Sequence, residues 1–236
     1  MGKKIFGFDM DKKWDYENGF YLTSDLKRIP KMLAQYEIYK LITNLPGHVV
    51  ECGVFKGSSL MRLCTFREIL ESPFSRKIIG FDAFGSFPRQ DNPLDDAFIN
   101  EFEEMAGTGI SKNELSELVR MKGFKNVELI EGNLEHTLPG YIEERPELQI
   151  SLLHVDVDVY RPTLTILNHL FDRVVPGGVI IFDNYAVVPG ETQAVGEFIR
   201  EANIELQLRK MPISHMPTYC VKKNTVPEKR HDRITP

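Results

Sequence analysis

The chain has 236 residues, 42 % of them hydrophobic, and carries 29 basic against 34 acidic side chains for a formal charge of −5. That length suits one large α/β core better than two, and the acidic balance argues against nucleic acid as a partner. No apolar run is long enough to span a membrane, and Met1-Gly2-Lys3-Lys4 lacks the apolar core of a signal peptide.

Three cysteines, Cys52, Cys64 and Cys220, are odd in number and widely spaced in apolar runs. They read as buried thiols, which places the chain in a reducing, cytoplasmic setting.

Residues 1–30 set Trp14, Tyr16, Phe20 and Tyr21 among charges, an irregular arm or a lid whose aromatic rings need a surface to cover. Met32, Leu33, Tyr36, Ile38, Tyr39 and Ile42 have helical spacing over 31–44, and Pro46-Gly47 ends that helix. A strand over 48–52 then runs into Glu51-Cys52-Gly53-Val54-Phe55-Lys56-Gly57-Ser58-Ser59. Gly53 frees the backbone to turn, Gly57 permits close approach, and Ser58 or Ser59 can cap the next helix. Such a turn can hold a small anionic group against backbone N–H groups.

Leu60, Leu63, Cys64 and Ile69 give a helix face down to about residue 71, and Lys77 to Asp82 is a second strand. Residues 84–126 are long for one crossover, with an insertion over about 85–110. Six acids and no base fall between Asp91 and Glu104, read as a solvated helix face; a mobile lid or a contact in a homo-oligomer is the alternative. A helix over 111–121 leads to a third strand, 126–132, and the Leu138-Pro139 stretch to a fourth, 150–156. Pro162 opens a helix with Leu164, Leu167, Leu170 and Phe171 on its buried stripe, and Pro176-Gly177-Gly178 stops it. The fifth strand is 179–182, a helix covers 191–202, and 205–208 with 218–221 read as an antiparallel hairpin. The basic tail 223–236 reads as disordered. Strand and helix alternate, so the sheet is mostly parallel.

In such sheets ligands bind at the carboxyl ends of the strands. Those ends carry Glu51 and Gly53, Asp82, Glu131-Gly132-Asn133, Asp156 with Asp158, and Asp183-Asn184. Asp156 and Asp158 share a face if the chain is extended there. With the fourth and fifth strands adjacent, Asp156, Asp183 and Asn184 could hold one cation. Their hard oxygen donors suit Mg²⁺ or another divalent ion better than Zn²⁺. His154 reads as a core histidine, and His215 lies in the apolar Met211 to Met216 loop, where nothing requires it to reach the site.

Glu51-Cys52-Gly53-Val54-Phe55-Lys56-Gly57 is similar to the ExGxxxG turn of class I S-adenosylmethionine-dependent methyltransferases. Gly80-Phe81-Asp82-Ala83-Phe84-Gly85-Ser86-Phe87-Pro88 resembles the second-strand motif of the macrocin O-methyltransferase family. Val155-Asp156-Val157-Asp158-Val159-Tyr160 followed by Phe182-Asp183-Asn184-Tyr185 resembles that family's metal site. The family more often has Asp-Asp where this chain has Asp183-Asn184. The resemblance covers about residues 20–222.

It implies a Rossmann-like class I methyltransferase domain over 31–222, with a seven-stranded, mostly parallel sheet ending in an antiparallel hairpin. S-adenosyl-L-methionine would lie with its methionine end at the Gly53 turn and its ribose on Asp82. Gly132 and Asn133 would flank the adenine, and Ala83 and Phe84 would line its pocket. Glu51, Phe55, Gly57, Ser58, Ser59 and Asp156 complete the cofactor-binding set. The activity implied is metal-assisted O-methylation of a sugar hydroxyl on a small-molecule acceptor, with Asp158 as general base. A catechol-type phenol methyltransferase is the first alternative. An NAD-dependent oxidoreductase and a non-catalytic cofactor-binding protein are others.

Overall fold

Short runs of β-branched and aliphatic residues form the centre of a seven-stranded sheet, and helices cover both of its faces. The computed structural model describes residues 3–223. A small antiparallel hairpin, β1 (Lys4–Ile5) with β2 (Phe8–Asp9), precedes α1 (Lys13–Thr23) and α2 (Arg28–Lys40). Then follow β3 (His48–Cys52), α3 (Ser58–Leu70), β4 (Ile78–Asp82), α4 (Pro93–Ala106), α5 (Lys112–Met121) and β5 (Val127–Glu131). The second half runs α6 (Leu134–Glu144), β6 (Ile150–Val155), α7 (Tyr160–Leu170), β7 (Val174–Phe182), α8 (Pro189–Glu201), β8 (Arg209–Lys210) and β9 (Thr218–Val221).

The strand order is β5-β4-β3-β6-β7-β9-β8. Pairs from β5 to β7 are parallel, and β9 runs antiparallel to both β7 and β8. The winding reverses between β3 and β6, which opens a crevice at the strand tips. Alternation along each strand divides the core in two. Val50, Ile79, Leu153 and Ile180 face α6, α7 and α8, whereas Val49, Ile78, Leu152 and Ile181 face α2, α3 and α5. All three cysteines are buried and free.

Several boundaries differ from the sequence reading. The Leu138-Pro139 stretch is helical: Leu134, Leu138 and Tyr141 recur at i, i+4 and i+7 on the buried face, and Pro139 points outward. Pro176-Gly177-Gly178 lies inside β7 rather than before it. The ladder is interrupted there, since Ile150 pairs with Val174 and Leu152 with Val179, so the missing proline N–H breaks no rung. The first strand of the last hairpin is Arg209–Lys210, not 205–208. Residues before 24 are largely ordered as the hairpin and α1 rather than irregular, and α1 buries none of its side chains. The acidic face of α4 is not uniformly solvated. Asp95 is buried, and its carboxylate accepts from Tyr160 N at 3.0 Å at the start of α7. Of the basic tail, residues 224–236 lie outside the described residues.

Candidate active site at the strand tips

The β3–α3 turn is built from backbone that few side chains tolerate. Gly53, Phe55 and Gly57 have φ of +92°, +50° and +83°. Gly57 itself caps α3, with no side-chain cap, and Ser58 is the first helical residue; the serines therefore do not serve as the cap. Asp82, at the tip of β4, holds the turn in place. Its Oδ2 accepts from Val54 N at 2.7 Å and Phe55 N at 2.9 Å, and its Oδ1 accepts from Phe84 N at 2.6 Å. A carboxylate has about four acceptor positions, so three are spent and one remains toward the cavity.

A cavity of about 430 Å³ opens over these tips. That volume is in the range of small-molecule sites. Gly53, Phe55, Asp82, Ala83, Gly132 and Asn133 line one end. Asp156, Asp158, Asp183 and Asn184 line the other, together with Arg28 and Lys31 from α2. The loop after β4 and the inner face of α4 form a wall, where Phe102 stands 5.1 Å from Phe55 and 6.0 Å from Phe98. Five of the residues expected at the cofactor stand away from the cavity wall. Gly57, Ser58 and Ser59 sit behind the turn, Phe84 is buried in the core, and Glu51 is sealed beneath the sheet tip. His215 lines a separate small recess with Leu26, Lys27 and Pro30.

Asp156 and Asp158 do come together, but not by strand alternation. β6 ends at Val155, and Asp158 sits in the left-handed region at φ +63°. The two carboxylates meet at the amide of Asn184, whose Nδ2 donates to Asp156 Oδ1 at 3.2 Å and Asp158 Oδ1 at 2.5 Å. Glu191, at the start of α8, accepts from Asn184 N at 3.0 Å and donates its own N–H to Asp158 O at 3.0 Å.

Beneath them is a buried charge network in which His154 takes part. Its Nδ1 meets Glu51 Oε1 at 2.9 Å and its Nε2 meets Asp183 Oδ1 at 3.3 Å. Lys31 Nζ donates to the other oxygen, Asp183 Oδ2, at 2.5 Å. Burial opposes a charge on His154, but the hydrogen bonds to Asp183 and Glu51 outweigh it and raise its pKa to about 10. Burial likewise opposes ionisation of Asp183; His154 and Lys31 overcome it and hold that carboxyl well below the usual range. For Asp158, burial and then the Asp183 charge push the pKa to about 7. Burial, then Asp183, also push Asp156 well up.

These carboxylates crowd one end of the cavity, where Lys31 and His154 meet Asp183 while Asp156 and Asp158 are met by the neutral amide of Asn184, a setting that suits a divalent cation. Ligand atoms of His154, Asp156 and Asp183 lie within 4.8 Å of one another. Both His154 nitrogens are committed to carboxylates, so the donors left to a cation are oxygens. The cofactor fits too: the cavity passes from the Gly53 turn over the unspent acceptor position of Asp82 to Asn133. The sequence alone points to no site role for His154, Lys31 or Glu191. The one available signal was a polar pair, Glu51 and His154, placed inside two apolar strands.

A family model described as macrocin-O-methyltransferase (TylF) matches residues 27–220. Mycinamicin III 3''-O-methyltransferase of Micromonospora griseorubida is 28 % identical over 195 residues, 78 % of this chain and 72 % of that one. The 8-demethyl-8-(2,3-dimethoxy-alpha-L-rhamnosyl)-tetracenomycin-C 4'-O-methyltransferase of Streptomyces olivaceus is 26 % identical over 169 residues, 69 % of this chain and 61 % of that one. The chain thus spans less than two thirds of the second relative's length. The solved structure of the O-methyltransferase NovP superposes with a TM-score of 0.68 at 21 % identity, covering 83 % of this chain and 80 % of that one, which shows the fold. The match runs through every strand tip described above, and the chain belongs to the macrocin-O-methyltransferase family of methyltransferases, with their class I fold.

Proposed function

We propose that this chain is an S-adenosylmethionine-dependent O-methyltransferase acting on a deoxysugar hydroxyl, either nucleotide-linked or on a glycosylated natural product, with a divalent cation. The observation that carries this reading is the sharing of one cavity by the Gly53–Asp82 end and the Asp156–Asp158–Asp183–Asn184 end. The sugar comes from the names of the relatives, one of which acts on a rhamnosyl compound.

S-adenosylmethionine supplies a methyl group made electrophilic by sulfonium. Asp82 offers its remaining acceptor position to the ribose, and Gly132 and Asn133 border the base. A divalent cation held by Asp156 and Asp183, and by Asn184 with its amide turned to offer the oxygen in place of the nitrogen, would lower the cost of negative charge on the acceptor oxygen. Asp158 takes the hydroxyl proton, its carboxylate standing at the same end of the cavity as Asp156 and Asp183. Phe55, Phe98 and Phe102 keep water from the wall. Residues 1–30 and 85–110 shape the acceptor end; Arg28 comes from the first segment and α4 from the second.

The test is an acceptor screen with S-adenosylmethionine, in Mg²⁺ and in chelator. Methylation of a nucleotide-linked deoxysugar or a glycoside, lost in chelator, is the expected result. Preference for a catechol would move the acceptor class, and binding of NAD in place of S-adenosylmethionine would overturn the reading.

A further inference from the structure

Two basic side chains, Arg28 and Lys31, line the cavity, and both lie on α2. They do different things. Arg28 is exposed at the mouth, whereas Lys31 reaches down to the tip of β7. The Lys31 side chain is 17 % exposed and the Asp183 side chain 3 %, so the pair is largely out of water. The other Asp183 oxygen meets His154. Lys31 therefore occupies one oxygen of this carboxylate and the His154 ring the other.

A divalent cation drawn to Asp156 and Asp183 meets a like charge already seated on Asp183. The two repel strongly where water does not screen them. Asp156 lies close enough to Lys31 to feel its charge as well.

We propose that Lys31 is a built-in counter-ion that competes with the divalent cation for Asp183, so that the cation enters only as the Lys31 ammonium leaves. This rests on the metal reading above. Lys31 keeps the crowded carboxylates compensated while no cation is bound. The exchange replaces one positive charge by two, which gives a divalent ion an advantage that a monovalent ion lacks. Lys31 is thereby a positioning residue for the metal site, carried on the helix that follows the N-terminal segment.

The experiment is a titration with MnCl₂ followed by electron paramagnetic resonance of free Mn²⁺, on the full chain without acceptor. Wild type is compared with Lys31→Met, which removes the charge, and Lys31→Arg, which keeps it. S-adenosylhomocysteine affinity and thermal melting are read alongside, and Lys31→Gln serves if Lys31→Met does not fold. Removing the charge is expected to tighten Mn²⁺ binding roughly tenfold, about 1.4 kcal/mol, with Lys31→Arg staying near wild type. Unchanged or weaker Mn²⁺ binding in both neutral variants, with wild type still binding, overturns the competition and leaves the metal reading standing. No Mn²⁺ binding by any of the proteins removes the metal reading itself, and the competition with it.

Discussion

Gly53 and Asp156 touch backbone to backbone: a Cβ built on Gly53 would lie 1.8 Å from the Asp156 carbonyl oxygen. One hydrogen bond closes the same seam, from Asp156 N to Cys52 O at 2.8 Å, and on the other side of β3 Gly53 N donates to Phe81 O of β4 at 2.9 Å. The expected cofactor end and the carboxylate end are thus joined by main chain, with no side chain between them. Gly53→Ala meets both this clash and a φ of +92°, so it should destabilise the fold by several kcal/mol and weaken S-adenosylhomocysteine binding together. Gly57→Ala also sits at positive φ, but its Cβ would meet only the Leu115 side chain, at 2.7 Å. It should cost about 1–2 kcal/mol. Urea denaturation of the two variants checks the order; equal losses would mean the seam is not the constraint.

Asp156 carries the second prediction. Its backbone belongs to the seam, while its side chain faces the cavity and accepts from Asn184. Asp156→Ala should therefore leave the fold intact and S-adenosylhomocysteine affinity within roughly tenfold, about 1.4 kcal/mol, yet abolish turnover and divalent-ion binding. Isothermal titration with S-adenosylhomocysteine and with Mn²⁺ separates the two effects. A variant that still turns over would place the essential oxygen elsewhere.

Much of this site is visible in the sequence because its parts are local. The β3–α3 turn announces itself through Gly53 and Gly57, and the acids at the tips follow strands whose apolar runs are easy to bound. What escapes is what pairing creates. Glu51 and His154 are register partners across β3 and β6, and Asp183 lies one strand further on. Read singly, each is one polar residue among valines and leucines. Lys31 opens an amphipathic run over 31–44 as an ordinary polar position, and only the placement of α2 over the sheet tips carries its ammonium to Asp183. The acids of α4 look alike in sequence, yet Asp95 alone meets the start of α7 and is buried. Strand alternation puts residues two apart on one face only while the strand lasts, and β6 stops three residues before Asp158.

The opposite end of the sheet supplies a prediction about stability. Arg76, 3 % exposed, donates to the Glu71 carboxylate at 2.6 Å and to the backbone oxygens of Ile42, Leu45 and Gly47 at 3.0, 3.1 and 3.2 Å. It also reaches the Ser151 hydroxyl. One guanidinium thus ties the end of α2, the entry to β3 and the start of β6. Arg76→Met strands Glu71, whose side chain is 6 % exposed and whose remaining side-chain donor is the Tyr39 hydroxyl at 2.7 Å. Breaking a buried pair from one side costs about 3–5 kcal/mol. Urea denaturation should show that loss, while S-adenosylhomocysteine affinity of the folded fraction stays at the wild-type value because Arg76 precedes β4 and the site follows it.

Glu191 gives a pH dependence with a definite sign. It is fully buried; Oε1 accepts from Asn184 N, and Oε2 has no partner among the described residues. Burial, then the nearby Asp158 charge, push its pKa to about 8. The folded state therefore holds a proton that the unfolded state gives up near pH 4.3, so folding is penalised as pH rises. The penalty begins near pH 4.3, grows by about 1.4 kcal/mol per pH unit, and levels off above the folded value. Glu191→Gln keeps the acceptor for Asn184 N and cannot ionise. Melting curves of metal-free protein between pH 5 and pH 9 should fall more steeply for wild type than for the variant, so that Glu191→Gln gains relative stability at the alkaline end. Parallel curves would mean that Glu191 is already ionised in the folded protein, and that its orphaned oxygen is satisfied by a group that burial alone does not reveal.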